Sequence, residues 1–180
     1  MKKFLWSALE VLETIIISVG AVFIIRTFLF QPFLVSGTSM QPTFSNGDYL
    51  LVDEISYRFR APQRGEVIVF NSPTNEGYFI KRIIGLPNEK VQIKNGQIEI
   101  FNTQGQEIAL KENYLLLGLK TAGNSEVVLK PNQYFVLGDN RDYSFDSRSW
   151  GPLDSNRIIG IVKLRIWPLT TAMAFSQPTY

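Results

Sequence analysis

The 180-residue chain contains neither cysteine nor histidine. The first absence removes disulfides, thiolate nucleophiles and cysteine metal sites together. The second removes a Ser-His-Asp triad and an H-E-x-x-H zinc site. Acid–base chemistry near neutral pH must therefore fall to Lys, Asp, Glu or Tyr. An excess of one charge sign is also lacking: 18 Lys and Arg against 16 Asp and Glu leave a net charge of +2, with no run of five basic residues. That balance gives no electrostatic reason to expect a nucleic-acid partner. No internal repeat or low-complexity segment stands out. Hydrophobic residues, in contrast, make up 45% of the chain, enough to bury the core of one domain, with or without an anchor.

Much of that apolar content is at the start. Met1-Lys2-Lys3 opens the chain with positive charge, and apolar residues dominate from Phe4 to Phe30. The cleanest stretch, 14–25, is twelve residues without a charge, with Glu10 and Glu13 before it and Arg26 after it. Twelve helical residues reach about 18 Å, short of a bilayer core of about 30 Å. Extending back to Phe4 gives 22 residues, long enough to cross if Glu10 and Glu13 lie near an interface. The reading taken is a single transmembrane helix, with a buried amphipathic helix and a cleavable signal peptide as alternatives. Ser18-Val19-Gly20 has the small residues of a cleavage site, but the apolar run continues past it, as in a stop-transfer anchor. Lys2 and Lys3 place the N-terminus in the cytoplasm, and everything after Arg26 outside.

From Phe33 on, short β-branched and aromatic runs alternate with Gly, Pro, Asn and Asp, which is the pattern of strands and turns. Strands are expected at 33–36, 48–54, 66–70, 78–86, 91–93, 97–101, 134–137 and 157–166. Asn95-Gly96, flanked by alternating apolar and polar residues, predicts a hairpin with a type I′ turn. The expected fold is mainly β: one N-terminal transmembrane helix (1–30 with its cytoplasmic tip), then an antiparallel β catalytic domain (31–180) with a small β excursion at about 88–132.

Three segments carry polar groups that could do chemistry. In Tyr78-Phe79-Ile80-Lys81-Arg82-Ile83-Ile84, alternation puts Lys81 on one face and Arg82 on the other, so a cation lies among apolar side chains whichever face is buried. Burial lowers the pKa of a lysine toward the range of a working base, whereas arginine cannot be deprotonated in this way. An exposed edge strand with snorkelling side chains is the plainer reading. In Ser36-Gly37-Thr38-Ser39-Met40-Gln41-Pro42-Thr43, Gly37 and Pro42 shape a turn that can present a hydroxyl and leave backbone N–H groups free for an oxyanion. An ordinary Ser/Thr-rich turn explains the same residues. The third segment, 138–151, packs five charges and three serines into fourteen residues, a density that points to a hydrogen-bonded network. A calcium loop is excluded, because counting from Asp139 puts Ser144 where an EF-hand needs Gly and Trp150 where it needs Glu.

In their order along the chain, Ser36-Gly37-Thr38-Ser39-Met40-Gln41-Pro42-Thr43, Gly47-Asp48, Lys81-Arg82-Ile83-Ile84-Gly85-Leu86-Pro87, and Gly138-Asp139-Asn140-Arg141-Asp142 through Asp146-Ser147-Arg148 resemble the motifs of type I signal peptidases. The resemblance covers most of the chain, including the apolar segment before the serine. It implies a Ser/Lys dyad on an all-β fold, with Ser39 as nucleophile and Lys81 as general base. It implies that Ser144 orients the lysine amine, that Asp146 and Arg148 form an ion pair supporting the site, with Asp142 in the same segment, and that Met40 packs near the substrate. Some members of the family carry Ser two residues before the nucleophile; Gly37 stands there in this chain, as in another branch. Its oxyanion hole would rest on backbone donors near Ser39 and Gly37.

The same resemblance implies the reaction. Lys81 deprotonates Ser39, the acyl-enzyme forms, and Lys81 then activates water, with no metal or organic cofactor. The substrates would be the signal peptides of exported preproteins, cut after small residues of Ala-x-Ala type. Phe33, Val35, Met40, Phe79 and Ile80 are candidates to wall the shallow pockets, and the leader is expected to bind as an added β-strand. Only thirteen positions separate Arg26 from Ser39, at most about 45 Å extended, so the site would lie near the outer face of the cell membrane. Lipid is thus an expected partner, nucleic acid and metal are not, and nothing calls for more than a monomer. The alternatives are a Ser/Lys self-cleaving repressor-type protease, which would need a soluble DNA-binding N-terminus, and an inactive membrane-anchored β adaptor.

Overall fold

The computed structural model describes residues 2–28, 30–74, 77–110, 112–116 and 118–175. Met1, Leu29 and the last five residues of the expected domains lie outside the described residues. The chain begins with helix α1 (Lys2–Phe28). Strands follow as β1 (Phe30–Leu34), β2 (Tyr49–Asp53), β3 (Val67–Asn71), β4 (Tyr78–Gly85), β5 (Lys90–Lys94), β6 (Gln97–Phe101), β7 (Glu107–Ile108), β8 (Ser125–Val128), β9 (Gln133–Leu137), β10 (Leu153–Asp154), β11 (Ile158–Trp167) and β12 (Met173–Ala174). Two single-turn helices, α2 (Ser56–Phe59) and α3 (Ser147–Trp150), lie between them.

The strands form two antiparallel sheets. The larger runs β1-β2-β11-β3-β4-β9-β10, with β12 added beside β11; the smaller runs β7-β6-β5-β8. The protein is therefore mainly antiparallel β, as alternation predicts. The first strand starts at Phe30 rather than Phe33, because it pairs residue for residue with β2 from Phe30↔Asp53 to Leu34↔Tyr49. Pro32 is tolerated there because β1 ends the sheet and needs no hydrogen-bond partner on its outer side. The Asn95-Gly96 turn has φ of 54° and 81° at its two central residues, the positive pair that type I′ requires.

Alternation sorts side chains into separate clusters across the large sheet. Val67 and Val69 pack with Val35, Met40, Phe44, Leu50, Val52 and Val162. Ile68 and Phe70, one residue out of step, pack with Ile83, Tyr134, Val136 and Leu153. Strand β3 is thus buried on both faces, which is why its sequence is a continuous apolar run. A third cluster joins Ile84, Phe135 and Leu137 of the large sheet to Val91, Ile93 and Ile100 of the small one.

Helix α1 is of another kind. Trp6, Leu9, Val11, Leu12, Ile15, Ile16, Ile17, Val19 and Val22 are all exposed. Among the described residues, no helix is long and apolar enough to cross a membrane.

The two sheets meet tightly at Gly85, the last residue of β4. A Cβ there would lie 2.5 Å from Val91 Cγ2, 2.8 Å from Leu129 Cδ1 and 3.0 Å from Phe135 Cβ, all in the cluster that joins the sheets. Gly85→Ala is expected to destabilise the protein by about 1–3 kcal/mol through overpacking. Thermal unfolding followed by circular dichroism should show a melting temperature several degrees lower.

Candidate active site

Strand β4 lies between β3 and β9, pairing with β3 along Tyr78 to Arg82 and with β9 from Arg82 to Gly85. Lys81 stands opposite Ile68, and Arg82 is flanked by Val67 and Leu137. Both cations are only 4% exposed. Burying two charges side by side requires two different solutions, and the strand uses its two faces to supply them.

Arg82 is paired. Its Nε donates to Asp139 Oδ1 at 2.8 Å and its Nη2 to Oδ2 at 2.6 Å, a side-on fork. Its Nη1 donates to the Gly65 carbonyl at 2.8 Å, and the Tyr114 ring lies 3.9 Å from the guanidinium carbon. Asp139, fully buried, also accepts from Thr43 Oγ1 at 2.5 Å. The sequence reading missed this pair. Arg82 was visible as a cation opposite Lys81, but nothing local points to a partner 57 positions away.

Lys81 has no ion pair among the described residues. Its Nζ donates to Ser39 Oγ at 2.8 Å and to the Ile80 carbonyl at 2.9 Å, and it lies 5.4 Å from the centre of the Phe79 ring. Burial pushes its pKa down from the usual 10.5 to about 8, with the carboxylates of Asp146 and Asp139 pulling partly back up. A neutral amine at this distance can take the proton of the Ser39 hydroxyl, and at pH 8 a large fraction of it is neutral.

The turn bearing Ser39 is held from two directions. Asn140 donates from its backbone N to the Ser39 carbonyl at 3.0 Å and from Nδ2 to the Thr38 carbonyl at 3.1 Å. This clamp was not read from the sequence. Gly37 takes φ of +99°, open to glycine and strained for other residues. Its N–H, expected to serve an oxyanion, donates instead to Asn46 Oδ1 at 2.9 Å. Asn46 belongs to the loop that closes the turn, one residue before Gly47, whose N–H donates to the Val35 carbonyl. The Ser39 N–H makes no hydrogen bond among the described residues and stays available to an oxyanion.

The segment after β9 supplies the surrounding network. Arg148 Nε and Nη2 grip the buried Asp146 at 2.8 and 2.9 Å, and Asp146 Oδ2 also accepts the Gly138 N–H at 3.1 Å. Ser144 Oγ is buried with no hydrogen-bond partner among the described residues, so the contact to the lysine amine that the resemblance implies is not formed. It packs instead beside Gly138, where an added Cβ would collide with both the Ser144 side chain and the Ser39 carbonyl. Asp142 is exposed and stands outside the Asp146–Arg148 pair, because the single turn of 3₁₀ helix at Arg141–Tyr143 points it away.

A cleft of about 350 Å³ opens above Ser39 and Lys81. Phe33, Val35, Phe79 and Ile80, four of the residues named from the resemblance as candidate substrate walls, line it together with Tyr78 and Phe145. Met40 does not. It is 1% exposed and turned into the core against Val35 and Phe44, because the backbone folds back at this point, with the Phe44 N–H donating to the Met40 carbonyl. Among the described residues, no group of three or more acidic side chains is placed to hold a metal ion.

Removing the partner of a buried arginine leaves an uncompensated charge. Asp139→Asn is expected to cost about 3–5 kcal/mol. Urea unfolding should show a lower midpoint with an unchanged slope.

The family described as "Signal peptidase, peptidase S26" matches residues 8–167 of this chain. A probable signal peptidase I-2 from Synechocystis sp. is 36% identical over 168 residues, spanning 89% of this chain and 74% of that protein. Signal peptidase IB from Staphylococcus aureus is 33% identical over 182 aligned positions, spanning 94% of this chain and 93% of that protein. A crystal structure of a signal peptidase I from Enterococcus faecalis V583 overlaps 57% of this chain and 97% of that one, at 30% identity and a TM-score of 0.47. With a family match over nearly the whole chain and relatives of this similarity along their own length, the chain belongs to the S26 family of signal peptidases.

Proposed function

We propose that this chain, an S26 serine endopeptidase that removes signal peptides, does so with Ser39 as nucleophile and Lys81 as general base. The observation that carries the reading is the 2.8 Å hydrogen bond between Lys81 Nζ and Ser39 Oγ at the floor of an apolar cleft. The chemistry follows from it. Neutral Lys81 takes the Ser39 proton as Oγ attacks the scissile carbonyl. The Ser39 N–H meets the developing oxyanion. The resulting lysine ammonium hands its proton to the departing amine, and the neutral amine then activates water to release the acyl group. The carboxylates of Asp146 and Asp139, each held by an arginine, oppose the effect of burial and keep the lysine pKa at about 8.

The cleft fits the end of a leader with small residues. Its walls are Phe33, Val35 and Ile80, and its length runs beside the edge strand β1, whose outer side has no neighbouring strand in the sheet. An extended leader added at this edge would lay alternate side chains into the cleft, which favours Ala one and three residues before the cut.

The chain is further proposed to be anchored in the cell membrane by α1, with residues 31–180 on the outer face and residues 88–132 as an excursion of that domain. A helix that exposes this many large apolar side chains along its length is suited to lipid. Lys2 and Lys3 at its start put that end in the cytoplasm. Alkaline carbonate should leave the full chain in the membrane pellet and release a chain lacking residues 2–28; release of the full chain would rule the anchor out.

The dyad is tested by cleavage of a synthetic preprotein with an Ala-x-Ala site, in detergent, from pH 6 to 10. Ser39→Ala and Lys81→Met should each lose activity by at least about a thousand-fold while remaining folded. Because the base works when neutral, wild-type activity should rise with pH and level off above the lysine pKa of about 8. Cleavage by Lys81→Met, or a wild-type profile flat through pH 8, would remove the lysine from the mechanism.

A further inference from the structure

Ser39 stands on a ridge between two depressions. Residues 33–39 contribute to the 350 Å³ cleft, while Gln41, Pro42 and Ser45 contribute to a second depression of about 480 Å³. Met40 is buried under the ridge that divides them. Tyr143, 75% exposed, lines both, and Asn140 of the second depression hydrogen-bonds the Ser39 carbonyl, so the two lie side by side at Ser39.

The two sides differ in chemistry. The cleft is apolar and has no carboxylate in its walls. The second depression has two, Asp139 and Asp142. Asp139 is taken by Arg82 and Thr43. Asp142 is exposed and makes neither an ion pair nor a hydrogen bond among the described residues. The depression is also firmly built. Asn140 fixes one wall to the Ser39 turn. Leu116 and Leu119 form the other, on a strap tied down where buried Arg141 pairs with Glu112 and hydrogen-bonds Thr121.

A peptide bond cleaved at Ser39 has chain on both sides. If the apolar cleft takes the leader, the residues after the cut must leave across the ridge, past Gln41 and Asn140. We propose that the second depression receives the first residues of the mature chain, and that Asp142 makes it favour a basic side chain there over an acidic one. This deepens the reading of Ser39 as nucleophile and rests on it. Asp142 is then a specificity residue for the departing half of the substrate, not part of the network around the lysine.

The test uses the full chain in detergent and fluorogenic peptides with one fixed apolar leader ending in Ala-x-Ala. The three residues after the cut are Gln, with Lys or Glu substituted at each in turn. At low salt, kcat/KM is expected to fall in the order Lys, Gln, Glu at one or more of these positions, with Lys and Glu about three-fold or more apart, the size of an exposed charge pair. About 0.5 M NaCl should compress the ratio toward one by screening. Asp142→Asn should bring the Lys/Glu ratio close to one, and Asp142→Lys should invert it. A wild-type ratio near one at all three positions overturns the proposal, as does a ratio that Asp142→Asn leaves unchanged. If wild type cuts no peptide, the all-Gln one included, or Ser39→Ala still cuts, the nucleophile reading itself falls and takes the proposal with it.

Discussion

One strand buries two consecutive cations, and the rest of the site is arranged around that constraint. Arginine keeps its proton under any condition a protein meets, so Arg82 needs a fixed counter-charge, and Asp139 provides it in a side-on fork. Lysine can relieve its burial by losing a proton, so Lys81 needs none. With only a hydroxyl and a carbonyl as hydrogen-bond partners, the amine is drawn down to about 8. Exchanging the two residues would give neither a base nor a stable pair. The alternation of a strand keeps the two solutions apart, one on each face.

The segment from Gly138 to Arg148 connects these solutions to Ser39, the proposed nucleophile. Asp139 neutralises Arg82, Asn140 pins the Ser39 turn, Arg141 ties down the strap at Glu112, and Asp146 with Arg148 braces the loop itself. Five of these side chains belong to a single stretch of eleven residues, so a change in that loop would reach the hydroxyl, the base and the groove beyond together. Two close approaches allow it to lie so near: Gly138 has no Cβ to strike the Ser39 carbonyl, and Ser144 is small enough to pack against it. The Ser144 hydroxyl, buried beside the proposed dyad, has capacity for a hydrogen bond that no group among the described residues uses.

The Ser39 turn has a comparable economy. Gly37 gives its N–H to Asn46, which fixes the positive φ and leaves the Ser39 N–H pointing free. Met40 fills the core beneath, so the ridge between the cleft and the second depression is supported by packing as well as by hydrogen bonds. If Ser39 is the nucleophile, as proposed, its place between two open depressions suits a long extended substrate.

The sequence by itself determined the eight longer strands but not the short β7, β8, β10 and β12, and it determined the Asn95-Gly96 turn, the apolar start of the chain and the restriction of the base to Lys, Asp, Glu or Tyr. These depend on local periodicity, on the torsions of particular residues and on the absence of histidine, none of which needs a neighbour to interpret. The order of the motifs carried the family and the pairing of Ser39 with Lys81. Tertiary structure decided what each remaining polar group does. Ser39 and Lys81 are 42 positions apart and Arg82 and Asp139 57, and a period of two tells which face a side chain takes but not which strand lies beside it. Sheet order brings β9 beside β4 and, with it, Asp139 to Arg82. The same order turned Met40 inward, engaged the Gly37 amide, left Ser144 without a partner and set Asp142 on the far side of the ridge, because each outcome depends on space that only the packed fold defines.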